Sequence, residues 1–130
     1  MFASGSFSVC ISNPPYFTAG PQSQATPLAR RDDCCTLDAL FSVAEKMLKY
    51  GGDFFLVHKP FYLAELCACA SNAGLEPKRL RLVRHNPSKE YGIVLLQCRK
   101  GGKPGLILEE ESLFHSDGSP TDYYRDLYHL

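Results

Sequence analysis

Phe7-Ser8-Val9-Cys10-Ile11-Ser12-Asn13-Pro14-Pro15-Tyr16 decides how the rest of this sequence is read. Its first six residues form an apolar stretch bounded by polar ones, the pattern of a buried strand. Asn-Pro-Pro does not extend that strand, because two prolines remove two backbone donors and hold φ near about −65°. Asn13 does not open a helix either, since a residue before proline is driven toward extended conformations. The expectation is a stiff loop at the carboxyl end of a strand, where open α/β sheets place their ligands.

Such a loop suits one kind of chemistry. An exocyclic amine on a heteroaromatic ring, such as the amino group of adenine, has a lone pair conjugated with the ring. It is a poor nucleophile until its hydrogens are engaged. The side-chain oxygen of Asn13 and a proline carbonyl, that of Pro14, are the two acceptors required. Tyr16 offers an aromatic face for the base, worth roughly 1–3 kcal/mol in nucleic-acid systems. An amine held in this way attacks an electrophilic methyl placed in line, and catalysis is then mostly positioning and electrostatics. Read blandly, the same tetrapeptide is a turn.

Outward from this point, residues 18–35 are rich in Gly, Pro, Gln, Ser and Thr without a hydrophobic period, and read as a mobile loop. A helix is expected from Thr36, its N-cap, with Leu37, Leu40, Phe41, Ala44, Met47 and Leu48 on one face and Gly51 as its stop. Asp53 to His58 is almost wholly apolar, as in a strand of a sheet buried on both faces. Pro60 suits the first turn of a second helix, with Leu63, Leu66, Cys67 and Ala70 inward, which ends at Asn72-Ala73-Gly74. Strand-helix-strand-helix implies parallel strands joined by right-handed crossovers. Lys78 to Arg84 and Tyr91 to Cys98 are then two strands whose linker holds no helix, hence an antiparallel pair. The fold class is α/β, with parallel strands and a terminal antiparallel hairpin. The tail carries Glu109-Glu110-Glu111 and a short helix from Thr121 to Tyr128.

The sequence has 130 residues, 45% hydrophobic and 22% charged, an ordinary globular composition for one domain or a large piece of one. No apolar run is long enough for a membrane span, and the amino-terminal residues carry no basic start or apolar core of a signal peptide. The six cysteines therefore read as reduced thiols of a cytoplasmic chain, and their spacing is not that of a zinc ribbon. No metal site is expected.

Several segments together resemble a known family. They are Ile11 to Phe17, Ala29-Arg30-Arg31, Leu48-Lys49-Tyr50-Gly51-Gly52, Leu56-Val57-His58-Lys59-Pro60, Gly74 to Arg81, and Lys100 to Leu106. In that order, from about residue 7 to residue 128, the chain resembles the class I S-adenosylmethionine-dependent methyltransferases that modify amino nitrogens. Its nearest likeness is to the bacterial tRNA adenine-N6 methyltransferases acting on valine tRNA. Several amino-methylating families share the tetrapeptide; the Leu-Glu-Pro-Lys-Arg-Leu-Arg and Lys-Gly-Gly segments point to the tRNA branch. Where that branch tends to carry His and Glu after Ala-Arg, this chain has Arg31 and Asp32.

The resemblance implies a Rossmann-like sheet of which this chain, 1–130, is the single, partial, carboxyl-terminal domain. Its sheet and helices span residues 7–98 and its tail 99–130. It implies Asn13, Pro14 and Tyr16 as catalytic residues, with Pro15, Phe17, Arg30 and Arg31 contacting substrate. It also implies S-adenosylmethionine as cofactor and tRNA as partner. The family's Gly-rich cofactor loop and ribose-binding acidic residue are not found. Gly51-Gly52 precedes a strand, the reverse of the strand-to-helix order such a loop needs. The twelve residues before Asn13 fall short of a βαβ unit of roughly 30. The expectation is thus a chain without a complete cofactor site.

Two other readings stay open: a non-catalytic relative acting as an RNA-binding or self-associating module through an exposed sheet edge, and a methyltransferase for DNA or protein glutamine. Formal net charge is zero, but Lys78, Arg79, Arg81, Arg84, His85 and Lys89 cluster on the hairpin. They read equally as phosphate contacts and as the guards of an edge strand.

Overall fold

The computed structural model describes residues 5–13 and 27–128, with 27–36 as backbone. In chain order the elements are β1 (Phe7–Ser12), α1 (Pro27–Met47), β2 (Leu48–His58), a 3-10 turn at Pro60–Tyr62, α2 (Leu63–Asn72), β3 (Leu75–Arg84), β4 (Tyr91–Lys100), β5 (Ile107–Ser112) and α3 (Asp122–Tyr128). The strands make one five-stranded sheet in the order β1-β2-β4-β3-β5. β1 is parallel to β2 and β3 to β5, while β4 runs antiparallel to both β2 and β3. This is the α/β sheet with an antiparallel hairpin that the sequence implies. The hairpin's return strand is inserted between β2 and β3, and β5 adds a further strand beyond it.

Handedness explains where the core sits. The crossovers from β1 to β2 and from β2 to β3 advance across the sheet in the same direction. Right-handed connections then lay α1 and α2 on the same face. Phe41 and Ala44 of α1 and Leu66 and Ala70 of α2 are buried there against Phe54, Leu56, Leu80, Leu96 and Cys98. Leu56, Leu96 and Leu80 stand in one row across β2, β4 and β3. Phe41 meets Phe54 edge-to-face at 5.3 Å and 89°, the geometry favoured by ring quadrupoles.

Three expectations are corrected. First, α1 begins at Pro27, so residues 27–35 are helix rather than loop and Thr36 lies inside it instead of capping it. Proline suits a first helical turn, and a helix nucleated downstream propagates one bond per residue without an apolar period. Residues 18–26 lie outside the described residues. Second, the helix stops at Met47, and Gly51 is not its stop but a left-handed residue (φ +85°) within β2. Phe7 pairs with Leu48 and Val9 with Asp53, so β2 makes a local excursion at Tyr50-Gly51. A Cβ on Gly52 would lie 2.9 Å from the Lys49 carbonyl oxygen and 3.1 Å from that of Ser8. The end of α1 is tied instead by Lys100, whose Nζ donates to the carbonyls of Glu45 and Leu48 at 2.8 Å each. These carbonyls are among those a helix end leaves unpaired.

Third, β3 is not an edge strand. β5 covers it, and the acidic triplet read as tail is strand. The sheet is also not buried on both faces among the described residues: Val9, Ile11 and Phe55 are exposed on the side opposite the helices.

Candidate functional site

Because β1 and β2 are parallel, both end at the same margin of the sheet. Ser12 pairs with Leu56, so Asn13 leaves β1 beside the last turn of β2, His58-Lys59-Pro60. Asn13 is exposed at this margin, the end of the sheet at which open α/β folds bind ligands. The structure therefore places Asn13 just past the carboxyl end of a strand. Pro14, Pro15, Tyr16 and Phe17 lie outside the described residues. Arg30 and Arg31 are placed in the first turns of α1, as backbone only.

The same margin carries an aromatic that sequence reading passed over. Phe61, in the 3-10 turn after β2, is 87% exposed. Its ring stands edge-to-face on Tyr62 at 5.1 Å, and Tyr62 stands likewise on His58 at 5.1 Å. His58 is buried and its Nδ1 accepts the Lys59 backbone N–H at 2.8 Å. It is thus a structural post under the aromatic pair. The signal for Phe61 was present: a large apolar residue next to Pro60 at a helix start, outside the inward-facing set.

The basic band on the hairpin is largely spent within the sheet. Arg81 donates from Nη2 to Glu109 at 3.1 Å, and Arg79 approaches the same carboxylate oxygen at 3.8 Å. Arg84 donates to the Ser112 hydroxyl at 2.9 Å and lies over the Tyr91 ring. Lys78 donates to the Lys103 carbonyl at 2.8 Å, and Arg99 pairs with Asp53 at 3.0 Å. The hydrogen bond that Arg81 donates to the Tyr123 oxygen, together with the Glu109 carboxylate, holds the guanidinium above its ordinary range, against some desolvation. The hydrogen bond to Glu110 likewise raises the Tyr91 phenol. Tyr123 and Tyr124 are engaged too, the first under Arg81 and the second against Phe114.

The described residues do not fit a nucleotide-type cofactor. Of their two complete strand-to-helix connections, His58-Lys59-Pro60 holds no glycine, and that from β5 to α3 holds a single one, Gly118, whose N–H closes a turn on the His115 carbonyl. Other left-handed glycines lie away from such connections: Gly51 within β2, Gly74 where α2 enters β3, and Gly101 after β4. No step is assigned to a cofactor held by these residues. Among the described residues no three His, Cys, Asp or Glu gather to hold a metal, and no helix is long and apolar enough to cross a membrane.

The fold recurs in solved structures. A predicted O-methyltransferase of Agrobacterium tumefaciens superposes with a TM-score of 0.72 at 20% identity, over 97% of this chain and 52% of its own. The fold is a methyltransferase fold. A candidate DNA modification methylase of Thermus thermophilus matches with a TM-score of 0.60 at 18% identity, over 99% of this chain and 55% of its own. The same methylase in complex with S-adenosylmethionine matches with a TM-score of 0.60 at 16% identity, over 99% of this chain and 54% of its own. The chain thus spans about half the length of these methyltransferase-fold neighbours. No protein-family model matches the sequence, and no curated protein matches it.

Proposed function

We propose that this chain is the substrate-binding half of an S-adenosylmethionine-dependent methyltransferase that acts on the exocyclic amine of adenine in tRNA. It is inactive until a cofactor-binding part joins it. The observation that carries the reading is the exposed Asn13 at the carboxyl end of β1, within a methyltransferase fold and directly before two prolines. In this reading Asn13 and the Pro14 carbonyl hold the amine, Tyr16 stacks on the base, and Pro15 and Phe17 shape the pocket. Phe61 supplies a second aromatic surface from the neighbouring strand end. Arg30 and Arg31 meet the nucleic acid from the start of α1. A base within structured RNA must be turned out of its stack to reach such a site.

The test is a calorimetric titration with S-adenosylmethionine, followed by methyl transfer to tRNA, DNA and protein. Both are run on this chain and on a longer polypeptide carrying the upstream reading frame. The reading expects no cofactor binding by the chain alone, and both binding and tRNA methylation by the longer form. Methylation of DNA or of a protein glutamine instead would reassign the substrate. Absence of cofactor binding in the longer form would favour the non-catalytic reading. One observation supports that second reading: among the described strands β1 lies at an edge of the sheet, and its six residues carry neither of two features, proline and charge, that blunt an edge against pairing with a second copy. Sedimentation at rising concentration tests this, and a strictly monomeric chain ends it.

A further inference from the structure

Two segments without a part in the proposed function meet at the end of the sheet away from Asn13. Leu48-Lys49-Tyr50-Gly51-Gly52 opens β2, and Lys100-Gly101-Gly102-Lys103 closes β4 and turns toward β5. Gly101 is left-handed (φ +72°), and a Cβ on it would stand 2.8 Å from Cδ1 of the Tyr50 ring. The Lys100 ammonium lies over that ring, 5.0 Å from its centroid. Tyr50 is nevertheless 80% exposed. A ring held in place by a neighbouring strand's glycine and lysine, yet left in water, is a preorganised stacking surface.

Charge gives this surface its sign. Among the described residues the end carries Lys46, Lys49, Lys78, Arg99, Lys100 and Lys103 against Glu45, Asp53 and Glu76. That is an excess of three positive charges in a chain whose formal net charge is zero. Lys100 pairs with Glu45 and Arg99 with Asp53, while Lys78 turns to the Lys103 carbonyl. Lys46, Lys49 and Lys103 are exposed and form no ion pair among the described residues. Lysines beside an exposed ring are the pairing by which single-stranded nucleic acid is held, phosphates on the cations and a base on the ring. An acidic peptide would engage the lysines and leave the ring idle. Tyr50 and the Asn13 margin lie at opposite ends of β2, roughly 20–25 Å apart at the rise of a strand. A nucleotide held at one is therefore not the nucleotide held at the other.

We propose that this end of the sheet is a binding surface for single-stranded RNA, with phosphates on Lys49 and Lys103 and one base stacked on Tyr50. That the strand is RNA rests on the function proposed above; the surface itself rests on its own residues.

Anisotropy titration of the chain with a fluorescent oligouridylate of about twelve nucleotides tests it. Uracil has no exocyclic amine, so the role proposed for Asn13 does not enter. Tyr50→Ser should weaken binding about tenfold without changing its salt dependence, and Tyr50→Phe should retain it. Lys49→Gln combined with Lys103→Gln should instead flatten the slope of log affinity against log salt by about 1.4, since each phosphate contact on a single strand contributes about 0.7. All three positions are exposed, so the thermal unfolding midpoint of each variant should stay near that of the native chain. Oligodeoxyuridylate, which lacks only the 2′-hydroxyls, is expected to bind no more tightly; tighter binding overturns the choice of RNA. No binding of oligouridylate overturns the proposal. So does binding that Tyr50→Ser leaves intact, or that inorganic polyphosphate matches without any base, because the surface is then merely basic.

Discussion

At the scale of a single residue, the proposed function turns on Asn13. Under that proposal, in a polypeptide that also carries the cofactor-binding part, Asn13→Ala is expected to lower turnover by orders of magnitude with little loss of cofactor affinity, because the role proposed for its oxygen is on the amine. Steady-state kinetics beside a cofactor titration check this, and unchanged turnover would end the role. Cys98 supplies a purely structural counterpart. It is fully buried on β4, and desolvation pushes its thiol up from 9.0 to about 12, helped by Cys67 and Glu76. A raised pKa in the folded state means the stabilisation is complete below about 9 and is lost as pH rises toward about 12. Urea unfolding of the native chain should therefore weaken through that interval more steeply than that of Cys98→Ala. Equal slopes would show that the thiol does not titrate as its burial requires.

At the scale of elements, the structure's additions to the sequence reading are long-range. Helix α1 ends on Lys100, fifty-two residues beyond Leu48, whose carbonyl it meets. Lys100 also pairs with Glu45 at 3.2 Å and lies over the Tyr50 ring at 5.0 Å. Lys100→Met keeps most of the side-chain volume but leaves two carbonyls without their donor, which should destabilise the chain by about 1–3 kcal/mol. Denaturant unfolding measures it, and a loss under a few tenths of a kcal/mol would show that water replaces the ammonium freely. Strand β5 has the same kind of origin. Three consecutive glutamates are poor strand formers, yet Glu109 meets Arg79 and Arg81, and Glu110 accepts the Tyr91 hydroxyl at 2.7 Å. The local pattern of residues 107–112 says nothing of this, because its reason lies 28 residues away in β3.

For the whole molecule, the consequence of Val9, Ile11 and Phe55 standing exposed opposite α1 and α2 is an apolar surface in the native state. A cooperative fold with such a face should bind anilinonaphthalene sulfonate before any unfolding, and Phe55→Ser should reduce that binding. Dye fluorescence that appears only with denaturant would contradict the open face. The order of the main strands and the first two helices was legible from residues alone: the apolar run before Asn13, the face from Leu37 to Leu48, Pro60 at a helix start, and two strands with no room for a helix between them. So was the position of Asn13 at a strand end, since proline geometry is local. Sequence thus determined the periodic elements, their connection and the stiff corner, because these follow from neighbours within a few residues. Only the tertiary structure decided that β4 slips between β2 and β3, that acidic β5 pairs with basic β3, that Phe61 shares a margin with Asn13, and that Ile11 and Phe55 stand exposed opposite the helices. Each of these is set by register and handedness between segments far apart in the chain, and no local spacing encodes them.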